Sequence, residues 1–246
     1  MDQNPQNSYN PSSSLYNNPA HQNSDTIHNR FRFELEISQE PVRSRMCGFG
    51  DKDRRLISPP PCVQLKIYDR ETGAPYEDIT HLDVSFYALL VELWTVDETT
   101  NLSSVVQSPK AMSGPGASSR GSEGLPGSGR SQIVRNLIGT LVATAFKLYN
   151  LDDNLGIWFV LHDLSVRIEG EYKLKFSFVR LSSTPGSNPA VPVLCESFSQ
   201  PFRSYSAKKF PGVIDTTELS RYFALQGIRI PIRRLPKPDS DLKHSK

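Results

Sequence analysis

Apolar and polar residues alternate strictly where the regular part of the chain begins. The odd-numbered positions of 31–37 are Phe or aliphatic, and the positions between them are charged. A two-residue period is typical of a strand that buries one face. The same period returns at 63–67, and a longer apolar run with aromatic and β-branched residues occupies 84–94. These three segments predict strands.

The second half of the chain carries weaker strand signals. Residues 133–149 fit a strand or a short helix, and their β-branched content favours a strand. Residues 156–168 and 172–179 predict two strands that pair through a turn at Glu169-Gly170. A weaker strand is predicted at 194–205.

One helix is predicted near the end of the sequence. Asp215, followed three residues later by Glu218, resembles a capping box, and Gly227 stands where a C-terminal cap is expected. Leu219, Tyr222 and Phe223 recur at helical spacing between them. About seven short strands with one C-terminal helix predict an all-β sandwich.

Two long segments lack any such period. Residues 1–29 contain no Lys or Arg, and Asn, Gln, Ser and Pro supply 18 of them, which predicts a disordered tail. Within 101–130, Ser, Gly and Pro supply 17 of the 30 residues. Because strand patterns resume afterwards, we interpret this stretch as a flexible insertion at about 97–132. The prediction is one folded domain over 30–235, with a C-terminal tail at 236–246.

Bulk composition narrows the class of protein. Hydrophobic residues make up only 37% of the chain, as expected if part of it does not fold. The sequence has neither an apolar run long enough for a membrane span nor a signal peptide, so we expect a protein kept inside the cell. Three cysteines without a CxxC motif argue against a disulfide framework and against a zinc site. We therefore predict neither metal nor cofactor.

Catalytic constellations are sparse. His162-Asp163 is the best candidate for a base with an orienting acid. Adjacent residues of a strand point to opposite faces, however, which disfavours a working pair. The ordinary alternative, a hydrogen-bonded structural histidine, is preferred, and we predict that the protein is not an enzyme.

Basic charge is concentrated in one segment before three consecutive prolines. The whole chain has a formal net charge of +2, whereas five cations face only two acids between positions 43 and 55. The cations are Arg43, Arg45, Lys52, Arg54 and Arg55. A cationic loop of this kind suits a polyanion, although a solvated surface loop is the open alternative. Lys208 and Lys209, close to Arg203, form a second basic group that would join the first if both lie at one end of the sandwich.

Three sequence blocks resemble the fungal velvet-domain regulators. They are RSRMCGFGDKDRR at 43–55 with the prolines 59–61, FVLHDLSVR at 159–167 with Gly170, and YSAKKFPG at 205–212 continuing to QGIRIPIRR at 226–234. The resemblance spans about 31–235. Within the family, the first block and the mid-domain insertion are most similar to the VelB-type branch.

The resemblance implies an immunoglobulin- or Rel-like sandwich in a nuclear and cytoplasmic transcription regulator. It implies dimers with VeA-type or VosA-type velvet proteins, or homodimers, and an indirect link to a LaeA-type methyltransferase-like protein that couples sporulation to secondary metabolism. It also implies double-stranded DNA contacts through Lys52, Arg54 and Arg55, with Arg43 and Arg45 nearby. The alternative is a protein-interaction scaffold that leaves DNA binding to another protein of the complex.

Overall fold

The structure, a computed structural model, describes residues 30–49, 54–107, 131–181 and 191–232. The predicted tails at 1–29 and 236–246 lie outside these residues, as does Lys52. Fourteen strands occur in the described ranges. They are β1 (Phe31–Gln39), β2 (Arg43–Arg45), β3 (Cys62–Asp69), β4 (Tyr87–Trp94), β5 (Ser104–Gln107), β6 (Gln132–Arg135), β7 (Leu137–Gly139), β8 (Val142–Thr144), β9 (Phe146–Tyr149), β10 (Leu155–Val160), β11 (Leu164–Val166), β12 (Gly170–Arg180), β13 (Val193–Phe198) and β14 (Phe202–Tyr205).

Two sheets build the body of the molecule. One has the order β1-β3-β10-β9, and the other has the order β2-β14-β12-β4-β8 with β13 also paired to β12. The inward faces meet in one aromatic and aliphatic core. Phe178 lies at its centre, fully buried, with ring centroids 5.3 Å from Phe33, 5.3 Å from Tyr87 and 6.0 Å from Phe159. The predicted all-β sandwich is confirmed.

A helix covers the outer face of the four-stranded sheet. Helix α1 (Glu218–Leu225) packs Phe223 against Trp158 of β10, with ring centroids 4.9 Å apart. The other buried members of this second apolar cluster are Cys62, Leu148, Val160, Ile228 and Ile230. Strand β10 is therefore buried on both faces, which explains why its sequence is a continuous apolar run rather than an alternating one.

The helix begins two residues later than the capping-box prediction. Its N-cap is Thr217, whose side chain accepts a hydrogen bond from the backbone N–H of Ser220 at 3.2 Å. The Thr217 hydroxyl also donates to Oε1 of buried Gln39 at 2.5 Å. This contact with β1 fixes the cap at Thr217, and Asp215 stays exposed. Gly227 follows the helix with a left-handed φ of 99°, as the sequence suggested.

The predicted strand pair 156–168 with 172–179 is wrong. A turn at His162 and Asp163 divides the first segment into β10 and β11, and β11 pairs with β7. Strand β12 pairs instead with β4, β13 and β14 in the other sheet. The short distance between these two segments in the sequence does not indicate which sheet each strand joins.

The region from 133 to 149 forms strands, as favoured, but four short ones rather than one. The predicted strand at 194–205 is likewise two strands, β13 and β14, separated at 199–201. The prediction of an unstructured stretch is wrong at the start of the insertion, because β5 pairs with β6 across Gln107 and Gln132. Its remainder, 108–130, lies outside the described residues.

Candidate nucleic-acid interface

A parallel strand pair brings the two basic groups of the sequence together. Strands β2 and β14 are aligned so that Arg43 lies opposite Arg203 and Arg45 opposite Tyr205. The intervening residues, Ser44 and Ser204, are completely buried. Because successive side chains of a strand point to opposite faces, the arginines share the face of this pair that is opposite to the serines. On that face Arg203 is exposed, whereas Arg43 and Arg45 are half-buried.

The basic segment is anchored on both sides of the gap at 50–53. Before the gap, the backbone N–H groups of Cys47 and Gly48 donate to the carbonyls of Val166 and Arg167, each at 3.0 Å. After the gap, Ile57 donates to Leu164 at 2.8 Å. Both flanks therefore lie along β11, which holds the described arginines of the segment beside the 163–171 stretch.

Arg54 is engaged with Asp163 in two ways. Its Nη2 lies 2.7 Å from the Oδ1 atom of Asp163 and 3.0 Å from the main-chain oxygen of the same residue. The two side chains are 38% and 37% exposed, so the pair is at the surface but partly shielded. Oδ2 of Asp163 accepts a weaker hydrogen bond from Thr140 at 3.4 Å.

Gly139 supports the Asp163 end of this pair. Its φ is 117°, and a Cβ atom built on it would lie 1.6 Å from the main-chain oxygen of Asp163. The same atom would be 2.9 Å from Nη2 of Arg54. Only a residue without a side chain allows β7 to approach the turn so closely.

Two other cations of this face also oppose carboxylates from the same stretch. Arg203 lies 3.5 Å from Glu171, and Lys209 lies 3.8 Å from Glu169. Lys208 and Lys209 are exposed in a turn at 207–209 that follows β14. Arg55 is exposed as well. The candidate site residues thus surround the ends of β2, β11 and β14, and three of the cations on this face form surface ion pairs.

A groove of about 360 Å³ opens beside the ion pair of Arg54 with Asp163. It lies between the segments 54–60 and 210–216, which are joined where the backbone N–H of Ile214 donates to the Ser58 hydroxyl at 3.0 Å. His162 lines the groove, and its buried Nδ1 atom has no hydrogen-bond partner. The carboxylate beside it in sequence binds Arg54 and Thr140 instead, so no His–Asp pair forms at this turn.

Cys62 and Cys195 show no sign of acting as nucleophiles. Burial raises the pKa of Cys62 to about 12 and that of Cys195 to about 12, so both remain thiols near neutral pH. Within the described ranges, no cluster of three His, Cys, Asp or Glu residues has metal-binding geometry. Among these same residues, no helix has the length and apolar character needed to span a membrane.

Sequence reasoning identified the cations but not their carboxylate partners. Arg54 and Asp163 are 109 positions apart, and neither residue carries a local signal of the other. The sequence did not indicate a role for Gly139, because a glycine with a left-handed φ in a β-rich stretch has no distinct sequence pattern.

Comparison with known proteins identifies the family of the chain. The profile of the family described as velvet factor matches residues 33–237. A velvet complex subunit of Emericella nidulans is 36% identical over 304 aligned positions, covering 88% of this chain and 82% of that protein. Its counterpart in Aspergillus flavus is 36% identical, covering 85% and 80%. Velvet complex subunit 2 of Gibberella moniliformis is 37% identical, covering 83% of this chain and 61% of that protein.

Proposed function

The chain belongs to the velvet factor family, and from that premise we propose that it is a DNA-binding subunit of a dimeric transcription regulator. The observation that carries the proposal is the meeting of the two basic groups, in which Arg43 and Arg45 lie beside Arg203 on one face. Guanidinium groups collected on one surface suit the closely spaced phosphates of duplex DNA. Arg54, Arg55, Lys208 and Lys209 extend this face. Lys52, two positions before Arg54 in the sequence, is the remaining cation of the proposed contact.

The partner in the dimer is another velvet protein. Curated relatives are named as subunits of velvet complexes, which supports assembly of this chain with a VeA-type or VosA-type protein. A LaeA-type protein would be an indirect partner through that assembly. The regulator would act in nucleus and cytoplasm, linking sporulation to secondary metabolism.

We expect co-expression with a VeA-type or VosA-type chain to give a one-to-one complex, because the relatives are named as subunits of a larger assembly. Size-exclusion chromatography with light scattering measures the mass of the complex. The chain expressed alone is the control. A monomer in every mixture would contradict the pairing.

One observation favours the scaffold alternative. Arg54, Arg203 and Lys209 each face a carboxylate, so the net positive charge of the surface is smaller than the count of cations suggests. A protein-interaction role would need no more charge than this. The two functions are separated by what neutralising the basic segment does to duplex binding.

Replacing Lys52, Arg54 and Arg55 together with alanine is expected to weaken binding to every duplex. The plot of log affinity against log salt should become shallower by about 0.9 for each phosphate that the variant no longer neutralises. Fluorescence anisotropy over a salt series, with the purified dimer and a mixed-sequence duplex, measures both quantities.

The matched control replaces Arg30, Arg32 and Arg70 with alanine. It removes the same charge at the far end of β1 and β3, whose register places Arg32 opposite Tyr68. Eight residues of strand span roughly 26 Å at about 3.3 Å per residue, so these cations are remote from the basic segment. If the basic-segment variant, folded and dimeric, binds the duplex as tightly as the parent, the basic segment is not the DNA contact. If the folded dimeric parent binds no duplex, the DNA-binding proposal fails and the scaffold function is favoured.

A further inference from the structure

The contact between Arg54 and Asp163 limits what this arginine can do. An arginine reads a guanine by donating two parallel hydrogen bonds, and it holds a phosphate most tightly in the same way. Both parallel pairs of donors include Nη2, because Nε and Nη1 are separated by the Cδ atom of the side chain. In this structure Nη2 faces two oxygens of Asp163, at 2.7 and 3.0 Å.

The arrangement is built into the fold. The main-chain oxygen of Asp163 is held against Gly139, where no side chain intervenes, and the carboxylate is also contacted by Thr140. The turn that carries Asp163 connects β10 to β11, whose Leu164 anchors the basic segment through Ile57. Arg54 and its acceptor are therefore fixed to the same framework.

We propose that Asp163 is a specificity-determining residue for DNA, acting by positioning Arg54. By occupying Nη2, it withholds the paired donors of Arg54 from base edges and leaves Nε and Nη1 for single-point contact with the DNA backbone. This inference rests on the proposed function. With its paired donors withheld, Arg54 behaves as a point charge that lysine can replace.

The neighbouring ion pair of Arg203 with Glu171 supplies a matched comparison. It also joins a cation of the basic face to a carboxylate of the 163–171 stretch, but through one 3.5 Å contact between side chains that are 49% and 61% exposed. Surface pairs of this kind are weak and exchange readily. Removing Glu171 should leave the behaviour of Arg54 unchanged.

The test is a double-mutant cycle on the dimer. Arg54→Lys, Asp163→Ala and the double variant are selected against a randomised duplex pool of fixed length. Their affinities for the duplexes selected by the parent and by Asp163→Ala are then measured by anisotropy. Arg54→Lys alone is expected to select the parental sequence and to bind it within about threefold of the parent. Asp163→Ala frees one paired edge of Arg54, so adding Arg54→Lys to it should reduce affinity for the duplex that Asp163→Ala selects by about tenfold.

Two further variants test whether Asp163 acts by positioning Arg54. Asp163→Asn keeps an acceptor oxygen and should restore tolerance of Arg54→Lys. Glu171→Ala should leave that tolerance intact. Should Asp163→Ala fail to fold, Arg54→Lys in the parent still decides the matter.

A tenfold or larger loss of affinity from Arg54→Lys in the parent, or loss of a guanine from its selected sequence, would overturn the inference. The absence of coupling between Arg54 and Asp163, with parental binding intact, would do the same. If the folded dimeric parent binds no duplex at all, the proposed function fails and the inference falls with it, which is a different result from an absence of coupling.

Discussion

Replacing Phe178 with alanine is expected to lower the free energy of unfolding by about 3–5 kcal/mol. Phe178 is fully buried on β12, and its ring packs against Phe33 of β1, Tyr87 of β4 and Phe159 of β10. The side chain therefore joins both sheets. Its loss leaves a cavity that rigid strands on all sides cannot fill, and it removes three aromatic interactions at once.

Urea denaturation followed by far-ultraviolet circular dichroism measures this change. The matched control is Phe86→Ala, since Phe86 precedes β4 and is 40% exposed. That variant is expected to change stability by less than about 1 kcal/mol. Equal effects of the two substitutions would show that Phe178 does not hold the sheets together.

Gly139→Ala is expected to cost about 2–6 kcal/mol, through two separate effects. The left-handed backbone, with φ at 117°, adds strain of about 1–3 kcal/mol for a residue with a side chain. The new Cβ would also overlap the main-chain oxygen of Asp163, at 1.6 Å, and relieving an overpacked contact costs about 1–3 kcal/mol more. The colliding atom belongs to the backbone, so no side-chain rotation can relieve the overlap.

Gly73→Ala separates the two effects. Gly73 has a φ of 69° and no atom within 4 Å of an added Cβ, so it experiences the strain without the collision. Its cost should be about 1 kcal/mol. Thermal and urea unfolding of both variants measures the difference. If Gly139→Ala is no more destabilising than Gly73→Ala, β7 and the Asp163 turn are not in the tight contact described.

Local patterns predicted the strands whose two faces differ. Strand β1 alternates because one side meets the core and the other meets water, and its residues show that alternation directly. Helix α1 was predicted from the spacing of Leu219, Tyr222 and Phe223. Its start was misplaced because the cap was chosen by a tertiary contact between Thr217 and Gln39, which are 178 positions apart.

These local patterns could not predict which distant strands pair with each other. The parallel alignment of β2 with β14 joins residues about 160 positions apart through backbone hydrogen bonds that any sequence can make. The basic residues of the site were evident as local charge. The carboxylates that oppose them were not. Asp163 was considered only as an orienting acid for His162, and nothing local marks Glu169 or Glu171 as partners of distant cations.

The ribbon formed by β5 and β6 has a consequence for engineering. Gln107 and Gln132 are cross-strand partners, so the chain leaves the body and returns to it at points roughly 5 Å apart. Because the entropic cost of closing a loop grows only with the logarithm of its length, this position tolerates large changes in length. The stretch 108–131, which connects these two partners, can be exchanged for a two-residue Asn-Gly turn or for a guest domain such as a fluorescent reporter. The sandwich would then serve as a host for the inserted sequence.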